Sequence, residues 1–262
     1  MSTIAILGLG EAGRIYARGL RSAGAHVRGY DPAPAGGGLD IDRARTAAEA
    51  ARGADVVLSL VGAHAAAEVA ASALPALSPS AVYADLNTAS PQIKRTIGAL
   101  AAARGVPMAD VAVLAPVPRE GYHTHLLASG PGADALAARL RPLDVPIVPI
   151  GADVGDAARL KLLRSVFMKG LAALVIEGTT AARSLGAEAW LHEQIAHELG
   201  PDGRALVGRL IDGTHRHASR RRDEMIDALA VLDETRQPAD MTRATLAWLE
   251  RIVAEHQDAA AP

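Results

Sequence analysis

Apolar residues follow two rhythms along this chain, and the change between them predicts two domains. Up to about residue 150, short apolar runs alternate with stretches of helical spacing. Ile4-Ala5-Ile6-Leu7 is a strand that enters the turn Gly8-Leu9-Gly10-Glu11-Ala12-Gly13. Arg14 to Ala23 then carries Ile15, Ala17, Leu20 and Ala23 at helical spacing, with Gly24 as its C-terminal cap. His26 to Tyr30 is the second strand, and Ala33 to Leu39, with Gly36 to Gly38, reads as a loop. Further on, Thr46 to Ala51 is a short helix, Asp55 to Val61 a strand, and Gly62 to Leu77 a helix ended by Ser78-Pro79. Ala81 to Leu86 is a strand, Asn87-Thr88-Ala89-Ser90 a polar turn, and Pro91 the first residue of a helix reaching Arg104. Met108 to Leu114 and His125 to Ser129 form a strand pair across the linker 115–124, followed by a helix from Asp134 to Arg141 and a last strand from Val145 to Ile150. Alternation of this kind predicts an α/β fold with a Rossmann-type doubly wound parallel sheet.

From Asp153 the pattern is helical throughout. Val154 to about Leu185 is apolar around almost its whole circumference, as expected of a helix buried on several sides. At 1.5 Å per residue its ~30 residues reach about 45 Å, long enough to run from one domain into another. Ala187 to Leu199, Arg204 to about Glu234 and Met241 to about His256 follow as helices, and Gln257 to Pro262 reads as a frayed tail. The expected division is residues 1–152 as a dinucleotide-binding domain and residues 153–262 as an all-α domain for substrate binding and dimerisation.

Composition narrows the function. In 262 residues, Lys+Arg 27 against Asp+Glu 29 leaves a formal charge of -2, so no broad basic surface points to nucleic acid. A small-molecule substrate is the simpler expectation. The absence of cysteine rules out disulfides, thiolate metal sites and cysteine nucleophiles, and no histidine pattern has metal-ligand spacing. No apolar run reaches the ~18 residues of a membrane span, and the N-terminus reads directly into a strand, so a cytoplasmic protein without membrane contact is expected.

The first turn carries the clearest chemistry. In a βαβ unit, Gly8 permits the tight turn, Gly10 lets the backbone approach a pyrophosphate, and Gly13 lets helix and strand pack closely. The helix N-terminus then faces the phosphates, with Leu9, Glu11 and Ala12 completing the cradle. Asp31 stands 18 residues beyond Gly13, where a carboxylate accepts hydrogen bonds from a ribose 2′-hydroxyl and repels a 2′-phosphate. NAD is therefore expected over NADP, although Asp31-Pro32 alone would also suit a plain turn. Val61, Asn87, Thr88 and Ser90 fall at C-terminal strand edges, where open α/β sheets bind ligands. Ser90 is equally suited to capping the next helix.

Lys161 lies within the long apolar helix, with Ser165 and Lys169 at successive turns of the same face. Desolvation lowers the pKa of an ammonium, so a lysine beside a nicotinamide cleft can serve as general acid or base. A lysine that snorkels from a helix edge would look the same in sequence. His217, Arg221 and Glu224 share a face within the densest charge cluster of the chain, as either a solvated ion-paired surface or an arginine grip on a carboxylate or phosphate.

Together these stretches resemble the β-hydroxyacid dehydrogenase superfamily, which includes 6-phosphogluconate and 3-hydroxyisobutyrate dehydrogenases. Gly8 to Gly13 resembles its NAD signature, Asp85-Leu86-Asn87-Thr88-Ala89-Ser90-Pro91 its later turn, and Gly155 to Lys161 the stretch that holds its catalytic lysine. Lys161-Leu162-Leu163-Arg164-Ser165 and the run from His217 to Met225 are similar to a shorter, phosphogluconate-dehydrogenase-like branch. The resemblance implies NAD(P)-dependent hydride transfer to or from a small hydroxy acid or polar alcohol, with Lys161 as general acid/base and Ser165 beside it. A homodimer through the C-terminal helices is expected separately, because an all-round apolar helix in an α-domain of about 110 residues would struggle to bury its own surface. It departs at the substrate loop, where Asp110-Val111-Ala112-Val113-Leu114-Ala115-Pro116 has neither the serine nor the glycines of the family. Arg119, Tyr122, His123 and His125 are the neighbouring groups able to replace that grip, and Ser165 stands where asparagine is usual. Imine reductases resemble the same architecture but usually carry another residue at the lysine position. A dinucleotide-binding protein without turnover is the remaining alternative.

Overall fold

A computed structural model describes residues 2–33 and 39–259. The expected loop Gly36 to Gly38 and residues 260–262 lie outside them. The chain divides into two compact units, Met1–Lys161 and Leu162–Pro262, so the division falls inside the long helix.

The first unit is an eight-stranded sheet. Its strands are β1 (Thr3–Leu7), β2 (His26–Tyr30), β3 (Asp42–Arg43), β4 (Val56–Ser59), β5 (Val82–Asp85), β6 (Met108–Val113), β7 (Leu126–Ser129) and β8 (Ile147–Gly151). They lie in the order β3-β2-β1-β4-β5-β6-β7-β8. The order reverses between β1 and β4, so the crevice at their C-terminal ends is the switch point where such sheets bind ligands. Its helices are α1 (Glu11–Ser22), α2 (Ala47–Ala51), α3 (Ala66–Ala73), α4 (Pro91–Ala102), α5 (Val117–Glu120), α6 (Ala133–Leu140) and the start of α7 (Asp156–Ser184).

Successive residues of a strand point to opposite faces. Ile4 and Ile6 accordingly join a core with Tyr16 and Leu20 of α1 and Leu136 of α6, while Ala5 and Leu7 join another with Ala50 of α2, Ala70 of α3 and Ile97 of α4. Helices on both faces explain why the strands read as continuous apolar runs.

Several boundaries differ from expectation for local reasons. Helix α1 begins at Glu11, directly after the glycine turn. Helix α3 begins at Ala66, because Gly62 has φ +92 and gives its N–H to Asn87 Oδ1 at 2.7 Å, which keeps it out of a helix. The short β3 carries no apolar signal at all. Strand β7 runs antiparallel to β6, since the linker is too short for a crossover and can only reverse the chain. That linker also contains α5 and a 3₁₀ turn at Gly121–His123.

The second unit continues α7 and adds α8 (Glu188–Glu198), α9 (Gly203–Arg216), α10 (Ala218–Glu234) and α11 (Asp240–Ala259). The expected single helix from Arg204 to Glu234 is broken at His217, where φ is -124 and ψ is 26. The break lets two stripes face two partners. Val207 and Leu210 of α9 pack with Ala172 and Val175 of α7, whereas Met225, Ala228 and Val231 of α10 pack with Leu162 and Leu249. One straight rod could not serve both. Helix α11 continues to Ala259, so part of the expected tail is helical. Nor is α7 buried all round, because Leu160, Leu163, Phe167 and Leu174 are exposed. No helix among the described residues is long and apolar enough to cross a membrane.

Candidate functional site

The three glycines of the first turn have separate reasons to be glycine. Gly8 has φ +90, and a Cβ there would lie 2.5 Å from the carbonyl oxygen of Leu60. A Cβ on Gly13 would lie 1.9 Å from the carbonyl oxygen of Gly8. Both are therefore demanded by the chain itself. Gly10 is different: its φ of -65 and ψ of -164 suit any residue, and a Cβ would meet nothing within 4 Å. The space it leaves faces outward, where a ligand would approach. Gly10 is also the N-cap of α1 and provides no side-chain acceptor, so the first-turn amides of Glu11, Ala12 and Gly13 are not capped by a side chain. Uncapped amides at the positive end of a helix suit a diphosphate.

Around this turn the chain is closed by hydrogen bonds. Gly8 donates its N–H to Tyr30 O at 2.8 Å, and Arg14 Nε donates to Leu9 O at 3.1 Å. Leu9 buries its side chain, with both methyls against Gly29. Asp31 accepts the Leu9 N–H on Oδ2 at 2.6 Å and the Ala33 N–H on Oδ1 at 2.9 Å. An ionised carboxylate has about four acceptor sites, so two remain for a ribose.

Two strands away, the turn after β5 stands on the same edge. Asn87 is buried and fully engaged: Nδ2 donates to Ser59 Oγ and Asp85 Oδ2, both at 3.1 Å, while Oδ1 accepts the Gly62 N–H. Its side chain thus ties the β4 and β5 turns together and has no amide hydrogen left for a ligand. Val61 lies partly buried between them, against the core beneath. Ser90 caps α4 by accepting the Ile93 N–H at 3.4 Å. Thr88 faces Lys161, whose Nζ donates to Thr88 Oγ1 at 2.8 Å.

Beneath Thr88 is a charged group that the motifs did not reveal. Lys94, fully buried on α4, donates from Nζ to Asp85 O at 2.8 Å and Asp85 Oδ1 at 2.6 Å, and lies 3.2 Å from Asp110 Oδ1. Burial alone would lower its pKa, but Asp85 and Asp110 outweigh that and raise it. Asp110 Oδ2 in turn accepts the Ala158 N–H at 3.0 Å, and Ser129 Oγ accepts the Ala157 N–H at 3.0 Å. A signal was present in the sequence: Lys94 shares the helical spacing of Ile97 and Ala101, and both aspartates interrupt apolar strands.

The remaining candidates lie away from this edge in the contacts they make. Arg119 pairs with Glu120, the ring of Tyr122 rests on Gly19 of α1, and His123 Nδ1 lies 2.9 Å from Asp144 O. Each of these three side chains therefore contacts a neighbour in the chain. His125 is exposed. In the helical unit, Ser165 is buried and accepts from Lys169 Nζ at 3.1 Å, and Lys169 pairs with Glu224 at 2.6 Å. Arg221 donates to Thr214 Oγ1, and His217 is exposed at the junction of α9 and α10. His217 is the N-cap of α10, and its carbonyl accepts the Arg221 N–H at 3.0 Å.

Residues 3–138 match the family described as the NAD binding domain of 6-phosphogluconate dehydrogenase. The chain belongs to the β-hydroxyacid dehydrogenase superfamily. Within it, residues 182–252 match a domain of unknown function. A probable 3-hydroxyisobutyrate dehydrogenase of Mycobacterium bovis is 31% identical over 204 residues, covering 72% of this chain and 67% of that protein. Among curated relatives the match spans between 56% and 67% of the relative's length. A conserved hypothetical protein of Sinorhizobium meliloti has a similar structure, with a TM-score of 0.75 and 34% identity over 95% of this chain and 88% of its own. The superfamily fold is also that of Mycobacterium tuberculosis 3-hydroxyisobutyrate dehydrogenase, with a TM-score of 0.80 and 23% identity over 98% of this chain and 95% of that one. A Pseudomonas imine reductase shares it less closely, at 0.63 and 20% over 97% and 94%.

Proposed function

We propose that this protein is an NAD(P)-dependent oxidoreductase acting on a small hydroxy acid or related polar alcohol, with Lys161 handling the hydroxyl proton. The observation that carries the reading is the 2.8 Å contact between Lys161 Nζ and Thr88 Oγ1 at the C-terminal edge of the sheet. Thr88 follows β5, two strands from β1, hence about 10 Å along the edge from the glycine turn. That separation suits a dinucleotide whose diphosphate rests on the first turn of α1.

In this reading the amides of Glu11, Ala12 and Gly13 hold the diphosphate, and Asp31 takes the adenosine ribose, favouring NAD. A bound nicotinamide supplies the hydride acceptor or donor. In the oxidative direction Lys161, as the free amine, receives the substrate O–H proton while the carbon loses its hydride. In reduction the ammonium returns that proton. Thr88 orients the amine by accepting one of its hydrogens, and Ser165 stands one turn along α7. Retention of a lysine favours alcohol over imine chemistry, because the proton to be managed then sits on an oxygen.

A spectrophotometric screen tests this directly. Reduction of NAD by a panel of small 2- and 3-hydroxy acids, abolished by Lys161→Met, supports the reading. Reduction of cyclic imines by NADPH alone would replace it, and cofactor binding without turnover on either panel would leave a binding protein.

A further inference from the structure

The chain contains three lysines among its 27 basic Lys and Arg residues: Lys94, Lys161 and Lys169. None is fully exposed on the surface. Each makes a defined polar contact, Lys94 with Asp85 and Asp110, Lys161 with Thr88, and Lys169 with Ser165 and Glu224. Solvated cationic positions are arginine throughout, so lysine survives where a compact ammonium does something a planar guanidinium cannot. At Lys94 the reason is geometric. Asp85 O, Asp85 Oδ1 and Asp110 Oδ1 converge on one nitrogen. The ammonium donates to both Asp85 oxygens and places its charge 3.2 Å from Asp110 Oδ1, an arrangement around one point that the flat fork of arginine would not match.

The charges of this cluster do not cancel among the side chains alone, for two carboxylates surround a single ammonium. The balance comes from α7. Its first amides, Ala157 and Ala158, donate to Ser129 Oγ and Asp110 Oδ2, and the positive end of the helix faces the surplus negative charge. The cluster therefore grips two structures at once. Through Asp85, which accepts the Asn87 N–H at 3.1 Å, it holds the turn that presents Thr88. Through Asp110 it holds the first turn of α7, which presents Lys161 one helical turn later.

We propose that Lys94 is a positioning residue that sets the distance between Lys161 and Thr88, by locking the β5 turn and the start of α7 to a common buried charge. The proposal rests on the assignment of Lys161 in the previous section only for its catalytic consequence. The geometric claim stands apart from it. Cofactor binding should be independent of the cluster, because the glycine turn and Asp31 share no hydrogen bond with it among the described residues.

The test uses the full-length protein and amine labelling, read by peptide mass spectrometry after brief reductive methylation. Asp110→Asn keeps shape and an acceptor for α7 but removes the charge that couples the helix to Lys94. Lys161 should then label several-fold faster than in the parent, while Lys169, in the other unit, labels at the parent rate and the NAD dissociation constant stays within about twofold. Lys94→Arg should give the same pattern if it folds, since a guanidinium cannot place its charge at the one point on which these oxygens converge. Unchanged Lys161 labelling in folded Asp110→Asn overturns the proposal, as does equal acceleration at Lys169, which would signal general loosening. Turnover separates the two ideas. If Lys161→Met is inactive, Asp110→Asn should lose on the order of 10²-fold in kcat, the cost of a misplaced catalytic group. If Lys161→Met is fully active, the functional assignment fails while the labelling still decides the positioning claim.

Discussion

Oδ2 of Asp31 accepts the backbone N–H of Leu9 at 2.6 Å, so the acid ending β2 and the turn following β1 form one hydrogen-bonded piece. Asp31→Ala should therefore do more than remove a ribose contact. NAD affinity is expected to fall roughly tenfold or more, about 1.4 kcal/mol, with a smaller loss for NADP, whose 2′-phosphate no longer meets a carboxylate. Titration of both cofactors by intrinsic or nicotinamide fluorescence checks this, and tighter NADP binding by the parent would remove Asp31 as the selector.

Gly10 and Gly13 should respond oppositely to the same substitution. Gly13→Ala drives a Cβ to 1.9 Å from a backbone oxygen, an overpacking expected to cost about 3 kcal/mol. Gly10→Ala has no clash within the chain, so its melting temperature should match the parent while cofactor affinity drops. Calorimetry and cofactor titration on both variants give the comparison. Equal cofactor affinity for Gly10→Ala and the parent would mean that nothing approaches that face.

Lys161→Met should leave NAD affinity nearly unchanged and lower kcat by roughly 10²- to 10⁴-fold on whichever substrate the screen identifies, the usual range for a general acid/base. Thr88→Val should cost less, since it removes only the acceptor that orients the amine.

Lys169 and Glu224 form a buried pair at 2.6 Å, with Arg220 at 3.5 Å as a second, weaker partner of the carboxylate. Lys169→Met should cost about 3 kcal/mol by leaving a buried carboxylate poorly compensated, and adding Glu224→Gln should recover most of it. Burial lowers the Lys169 pKa, Glu224 opposes that, and Arg221 and Arg220 reinforce it. The unfolded chain then holds this proton more tightly than the folded one, so the contribution of this group to stability rises with pH from its folded pKa toward the ordinary lysine value. Urea midpoints measured as the pH rises toward the ordinary lysine value should show that increment in the parent and not in Lys169→Met.

Leu160, Leu163, Phe167 and Leu174 recur at three-, four- and seven-residue intervals along α7 and are all exposed. Such a stripe suits a second copy of the chain. A homodimer is expected by light scattering at micromolar concentration, and Phe167→Glu with Leu174→Glu should yield monomers.

Much of the sheet unit was legible because its signals are local. Apolar runs, a glycine turn and Pro91 at a helix start each determine their own few residues. The contact of Lys161 with Thr88 was not legible, because the two are 73 positions apart in sequence. The buried cluster was hidden because its members, Asp85, Lys94, Asp110 and Ser129, are far apart in sequence and only the sheet order brings them together. The break at His217 was hidden for another reason. Nothing in Arg216-His217-Ala218 disfavours a helix, and the bend arises from packing two stripes against different partners. The contacts of Arg119, Tyr122 and His123 were not legible, because sequence shows a polar linker without showing what lies under it.

The seat of Tyr122 on Gly19 has a consequence for redesign. A Cβ on Gly19 would fall 2.0 Å from the tyrosine ring, so the middle of the linker is pressed onto the helix whose opposite end carries the glycine turn. Replacing Leu114-Ala115-Pro116 by a serine and two glycines is thus not a free exchange of three residues. The grafted segment must still deliver Tyr122 to the same spot, and a graft that shifts it would pull on α1 and weaken dinucleotide binding before any substrate is tried. Gly19→Ala, which evicts the ring without touching the linker, would measure how strongly the two are geared together.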